Sequence, residues 1–188
     1  MGTFGWIVLG AIVLIALFGI TIYNRLVSLR QTVGQAWSDI SVQLKQRHDL
    51  IPNLVETVKG YAAHERGTLE AVTQARNAAV AASGPEAQAK AENMLTGALR
   101  QLFALSEAYP DLKANQNFLQ LQADLSDIEN KIAASRRFFN NSVQEYNTAT
   151  EQFPAVLFAG SLGFTKREFF ELDEGERAAV EATPQVKF

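Results

Sequence analysis

The sequence predicts an all-α protein: an N-terminal transmembrane helix followed by an antiparallel helical bundle with long helices. Three observations predict it. Met1 to Asn24 carries no charged side chain, although the chain as a whole is 20% charged. Beyond Arg25, apolar residues recur at alternating steps of three and four, the spacing of one face of an α-helix. That pattern is broken at Pro52, at Ser83-Gly84-Pro85-Glu86, at Pro110 and at Pro154, which divides it into several helices.

Composition narrows the functional classes. With 188 residues and 47% hydrophobic content the chain is long and apolar enough for one packed domain and is not a disordered polymer. It has no cysteine, so no disulfide and no thiolate nucleophile or ligand is available. A net charge of −3 without a dense Lys/Arg run argues against a nucleic-acid partner.

The first element is the membrane anchor, residues 1–24. From Phe4 to Ile22 only Thr21 is polar, and the run is long enough as a helix to cross a hydrocarbon core of about 30 Å. Trp6 and Tyr23 mark its two interfaces and Arg25 is the charged stop, which makes these three the expected membrane-interface residues. A cleaved signal peptide would need a basic leader, a shorter apolar core and a small-x-small site, none of which is clear. Gly2, Gly5, Gly10 and Gly19 lack the four-residue spacing of a helix-pairing seam. Arg25 and Arg30 follow the span closely while residues 1–24 hold no Lys or Arg, which favours an outside N-terminus and a cytoplasmic bundle.

The bundle is expected over residues 25–153. Its first seam is Leu26, Leu29, Val33, Ala36, Ile40 and Leu44, continuous with the anchor. Pro52 lacks an amide donor, so it predicts a kink or a restart; Leu54, Val55, Val58, Tyr61 and Ala62 resume the face at once. Leu69, Val72, Ala75 and Ala79 carry it to a break at Ser83-Gly84-Pro85-Glu86, where Ser83 and Glu86 have the spacing of a capping box. A third helix shows Leu95, Ala98, Leu102, Leu105 and Tyr109 and is expected to end at Pro110. The fourth holds the clearest pattern, running through Phe118, Leu125, Ile128, Ile132, Phe139, Tyr146 and Ala149 to Phe153. It could form a coiled coil, but the other helices need partners for their own stripes and a bundle supplies them. Residues 154–188 are set apart as an apolar segment followed by an acidic tail; the apolar part, Ala155 to Phe164, is too short to span a bilayer. It needs cover from the bundle, a membrane interface or a second copy. Leu157, Phe158, Leu162, Phe164, Lys166 and Arg167 are the candidate self-association or membrane-contact residues.

Candidate chemistry is thin. His64-Glu65 opens a zinc-protease pattern, but Thr68 stands where the second histidine is needed. His48 between Arg47 and Asp49 reads as a charged patch beside the Pro52 kink rather than a catalytic pair. Glu65, Glu129 and Glu145 lack the Glu-x-x-His spacing of a helix-bundle di-iron site, and Arg136-Arg137 reads as a solvated or salt-bridged face. No catalytic, cofactor-binding or metal-binding residue is assigned, and no cofactor is expected.

The run Arg47-His48-Asp49-Leu50-Ile51-Pro52-Asn53-Leu54-Val55-Glu56-Thr57-Val58-Lys59-Gly60-Tyr61, followed by Ala63-His64-Glu65, resembles the signature of the LemA family. So does a second block: Ala108-Tyr109-Pro110-Asp111-Leu112-Lys113-Ala114-Asn115, Phe118-Leu119, Glu129-Asn130, Arg136-Arg137, Glu145-Tyr146-Asn147, Phe153-Pro154 and Gly163-Phe164. The likeness covers nearly the whole chain. It implies a bacterial, single-pass inner-membrane protein with a LemA-like helical bundle and no established catalytic activity. The family includes a protein tied to forming magnetosome membranes, which implies a role in membrane organisation. Phe138-Phe139 departs from the more polar, tyrosine-containing pair that the resemblance would give.

The sequence is therefore read as a non-enzymatic, membrane-anchored helical scaffold that self-associates and helps organise or shape the membrane. Its expected partners are the lipid bilayer, further copies of itself and other membrane proteins. The alternative is a membrane-tethered adaptor or signalling module that docks other membrane proteins. Deleting residues 1 to 24 should leave a soluble, largely helical protein. Strand-rich circular dichroism, or retention in the membrane pellet, would contradict the architecture.

Overall fold

A continuous helix, α1, runs over Thr3–Lys59; it is followed by α2 (Arg66–Ala81), α3 (Pro85–Ser106), a single turn α4 (Pro110–Lys113), α5 (Gln116–Glu151) and a 3₁₀ turn at Ala155–Leu157. The structure, a computed structural model, describes residues 2–171, and the acidic tail expected beyond Leu172 lies outside the described residues. Among the described residues there is no strand, and the fold is an all-α helical bundle with one long apolar N-terminal helix.

The chain divides into two units, one made of residues 2–38 with Phe138–Arg167, the other of Asp39–Arg137 with residues 168–171. In the second unit the anticipated seams are the core. Ile51, Leu54 and Val58 of α1 meet Leu69, Val72, Ala75 and Ala79 of α2, Ala91, Leu95, Leu99 and Leu102 of α3, and Phe118 and Leu125 of α5. α1 and α5 are antiparallel there, since Arg47 pairs with Glu129 while Asn115 donates to the Tyr61 hydroxyl. Alanine at so many facing positions of α2 and α3 leaves thin helix faces, which lets the two pack closely.

The first unit has a core of different composition. Leu26, Val33 and Ala36 of α1 are buried with Phe139, Val143, Tyr146 and Ala149 of α5. Trp37 lies against Phe139 with ring centroids 5.4 Å apart. Of the unexpected aromatic pair, Phe139 thus fills the core and Phe138 is exposed. The apolar stretch at the start of α1 buries nothing: its large side chains from Phe4 to Ile20 are all exposed.

Pro52 opens no loop, as the immediate return of the seam implied, and it starts no new helix either, since α1 runs through it. Three expected boundaries need correction. The face from Leu54 to Ala79 is not one helix, because α1 stops at Lys59 and Gly60–Glu65 form a turn. The amides of Tyr61 and Ala62 both bond to the Val58 carbonyl, and the turn keeps Ala62 buried, so the apolar period passes through it unbroken. The capping box does not form. Gly84, with φ +87°, is the N-cap of α3 and no side chain caps it; Glu86 pairs instead with Lys90, one turn on. A left-handed backbone suits Gly84, and Pro85 fits the first helical position, where no amide is needed. Pro110 begins α4 rather than ending α3, which closes at Ser106, again because proline is favoured at a helix start.

Ile128 and Ile132 are both buried on α5. Replacing either with Asp should destabilise the protein by about 3 kcal/mol or more, through an unpaired buried charge. Unchanged thermal melting, followed by circular dichroism, would show that these positions face water.

Candidate functional site

The seam of α1 in the second unit carries two polar side chains among its apolar ones, Arg47 and His48, which fall between Leu44 and Ile51 on the buried face. Facing them on α3 is a stripe at helical spacing, Gln88, Glu92 and Thr96. Arg47 is 3% exposed and Glu92 4%. Burial of a guanidinium demands acceptors, and the structure supplies three. Arg47 donates through Nη1 to Glu92 Oε2 at 3.2 Å, and through Nη2 to Thr96 Oγ1 at 2.7 Å and Glu129 Oε1 of α5 at 2.9 Å.

Glu92 is the second centre of this cluster. Its Oε1 lies 2.6 Å from His48 Nε2 and accepts from Gln88 Nε2 at 2.9 Å. A carboxylate can only accept, so His48 meets the Glu92 carboxylate with Nε2 as the donor. Gln88 also donates to the Ala79 carbonyl, tying the end of α2 to the cluster.

Pro52 adds one more requirement. An ordinary residue at that position would donate its amide to the carbonyl four residues back, that of His48. Proline cannot, and Arg76 of α2 takes its place, with Nε donating to the His48 carbonyl at 3.3 Å. A cleft of about 340 Å³ opens beside the cluster, lined in part by Ser41, Lys45, His48, Asp49, Arg76 and Gln88. At its rim Lys45 donates to Asp49 at 2.7 Å, and that hydrogen bond holds the Asp49 carboxyl below the usual carboxylate range.

The expected charged patch at residues 47–49 is therefore split: Asp49 is exposed, while Arg47 and His48 are buried and paired. Sequence reasoning passed over Gln88, Glu92, Thr96 and Arg76. The signal available was a polar i, i+4, i+8 stripe whose face also holds Leu95 and Leu99. Of the other residues weighed for chemistry, Glu65 accepts from the Tyr109 hydroxyl, a bond that raises the tyrosine above its ordinary range. Glu145 is exposed. Arg136 stacks over the Phe170 ring at 5.8 Å.

In the first unit the sequence-derived interface residues are partly gathered. Trp6, Tyr23 and Arg25 are exposed along α1. The Phe164 ring is buried against Tyr23, centroids 5.5 Å apart, and Arg30 covers it at 5.1 Å. Gly163, at φ +78°, makes the turn that sends Phe164 back onto α1. Phe158 is half-buried, while Leu157 and Leu162 are exposed. Lys166 pairs with Glu151, and the Arg167 backbone is clamped on both sides by the Asn147 amide. The sequence pointed to Arg30 only for orientation and to Phe153 only as the end of the fourth seam, not to the contacts of this segment.

Comparison with known proteins adds an independent line. The model of the LemA family matches residues 36–188. Magnetosome protein MamQ of Magnetospirillum gryphiswaldense is 27% identical, over 87% of this chain and 70% of its own. Protein LemA of Metamycoplasma hominis is 28% identical, over 85% and 74%. Magnetosome protein MamQ 2 of Paramagnetospirillum magneticum is 25% identical, over 87% and 70%.

The cluster yields an ordered expectation. Glu92→Ala leaves Arg47 and His48 buried without their common acceptor and should cost about 3 kcal/mol or more. Arg76→Met strands one carbonyl and should cost about 1–2 kcal/mol. Denaturant unfolding of the two variants checks the order; a larger loss for Arg76→Met would refute the central place given to Glu92.

Proposed function

This chain belongs to the LemA family, and from that premise we propose that it is a non-enzymatic, membrane-anchored helical scaffold whose copies associate to organise or shape the membrane. One observation carries the reading. The large side chains of the apolar stretch Phe4–Ile20 are exposed among the described residues, and a bilayer is the surface that suits them. The protein is membrane-associated, and the family and its relatives agree with that. That several relatives are magnetosome proteins supports a role in organising membranes.

Two further features favour a scaffold over an enzyme. The buried charged cluster of the second unit is internally paired: the carboxylate of Glu92 is occupied by Arg47, His48 and Gln88. Large apolar side chains also remain exposed outside the span, Leu119 and Phe138 on α5 among them, and each is available for contact with another copy. We place the protein in a bacterial inner membrane with its N-terminus outside and the bundle in the cytoplasm, because Arg25 and Arg30 follow the span.

The mass of the purified full-length protein in detergent tests the scaffold. A multiple of the 20.7 kDa chain mass is expected, and Phe138→Asp should reduce it. A monomer at all concentrations would displace this reading in favour of a tethered adaptor that docks other membrane proteins.

A further inference from the structure

We infer that the turn after α5, Phe153 to Leu157, is a second membrane contact, seated at the hydrocarbon edge beside the point where α1 leaves the bilayer. The inference rests on the reading of α1 as the membrane span and goes beyond it, since a single span needs no second contact.

The level of the bilayer edge follows from α1. Residues from Phe18 to Ile22 carry no charge, Tyr23 is an amphipathic ring of the kind that favours the interface, and Arg25 is the first charge of the chain. Counting back from Ile22, the residues to Thr3 rise about 30 Å, the thickness of a hydrocarbon core. Ile22 therefore marks the edge, and Arg25, less than one turn beyond, stands at the level of the head groups.

The turn meets α1 at that level. A groove of about 300 Å³ is lined from α1 by Phe18, Ile22 and Arg25 and from the other side by Gln152, Phe153 and Pro154. The first unit folds the chain back this far because Phe164 packs on Tyr23 and Asn147 clamps Arg167. What the turn presents outward is apolar: Phe153 is 79% exposed and Leu157 72%, and Val156 is exposed as well. At about 25 cal/mol per Å², large side chains so placed beside a bilayer edge gain from entering it. Arg25, exposed in the same groove, is set to meet a lipid phosphate there. A second copy of the chain is the rival occupant. The continuity of these side chains with the span favours lipid, because a protein covering them would also have to enter the bilayer edge at Phe18.

The chain has no native cysteine, so single spin labels can be placed by Leu157→Cys and, separately, Phe153→Cys in the full-length protein. Both sites are exposed enough to take the label without disturbing the core. Val13→Cys in the span and Gln35→Cys on the exposed face of α1 serve as references. In phosphatidylcholine–phosphatidylglycerol vesicles, labels at 157 and 153 should collide with oxygen several-fold more, relative to a water-soluble nickel complex, than the label at 35. They should approach the label at 13. A Gln35-like ratio at both turn sites, with Val13 still lipid-exposed, overturns the second contact and leaves the anchor standing. Shielding from both reagents, with spin–spin broadening that disappears on dilution by unlabelled chain, gives the turn to a second copy and also overturns it. A water-accessible Val13 would remove the span itself, and the inference with it.

Discussion

A guanidinium buried at Arg47 constrains the rest of the second unit. Arg47 sits on the apolar seam of α1, where a Leu or Ala would pack without directional demands. A charge there has no tolerable state unless acceptors arrive from the helices opposite. They come from α3, as Glu92 and Thr96, and from α5, as Glu129. Seams rich in Ala and Leu are similar from one turn to the next, so apolar burial alone would accept a slip of one turn at modest cost. The ion pairs do not, because a slip separates Glu92 from both Arg47 and His48. Replacing such a pair by apolar residues need not lower stability; its role here is to select one register.

The two units solve the packing problem with different materials. In the second unit α2 and α3 set Ala75, Ala79 and Ala91 beside Leu69, Val72, Leu95, Leu99 and Leu102, and α1 and α5 add Ile51, Leu54, Val58, Phe118 and Leu125. Beside the span the core is aromatic, with Trp37, Phe139, Tyr146 and Phe164 filling it and Arg30 lying over a ring. Aromatic rings and guanidinium groups suit a boundary between lipid and water, since each has an apolar body and a polar edge. The alanine-rich unit, by contrast, depends on close helix approach and on its buried charges.

Most of the helical framework was legible in the sequence because the period of three and four is imposed by burial, and burial is what the seams turned out to have. Where reading by period went wrong, local chemistry had won. The turn at Gly60–Glu65 was invisible because it keeps Ala62 in phase between Val58 and Leu69. The Ser83–Glu86 pair had the right spacing for a cap, but Gly84 and Pro85 between them set a backbone that leaves the Ser83 side chain out of use. The polar cluster was missed for a different reason. A charged residue on a seam reads as an irregularity when its helix is taken alone, and its partners lie 45 and 82 residues away. The sign was present in two helices at once, Arg47 and His48 on one and the 88–92–96 stripe on the other, but only their pairing gives it meaning. Phe164 shows the same limit: its composition marked it as apolar surface needing cover, and only the fold reveals that Tyr23 and Arg30 provide it.

The proline inside α1 has a consequence for the order in which the chain can fold. The turn at His48 to Pro52 has one hydrogen bond fewer than its neighbours, and the missing donor is on Arg76, 28 residues later in the chain. A nascent chain that has released α1 but not α2 therefore holds a helix with an open link. That link closes only when α2 docks, so the middle of the longest helix is completed by tertiary structure rather than by its own sequence. The Arg76 side chain acts there as a latch between α2 and α1.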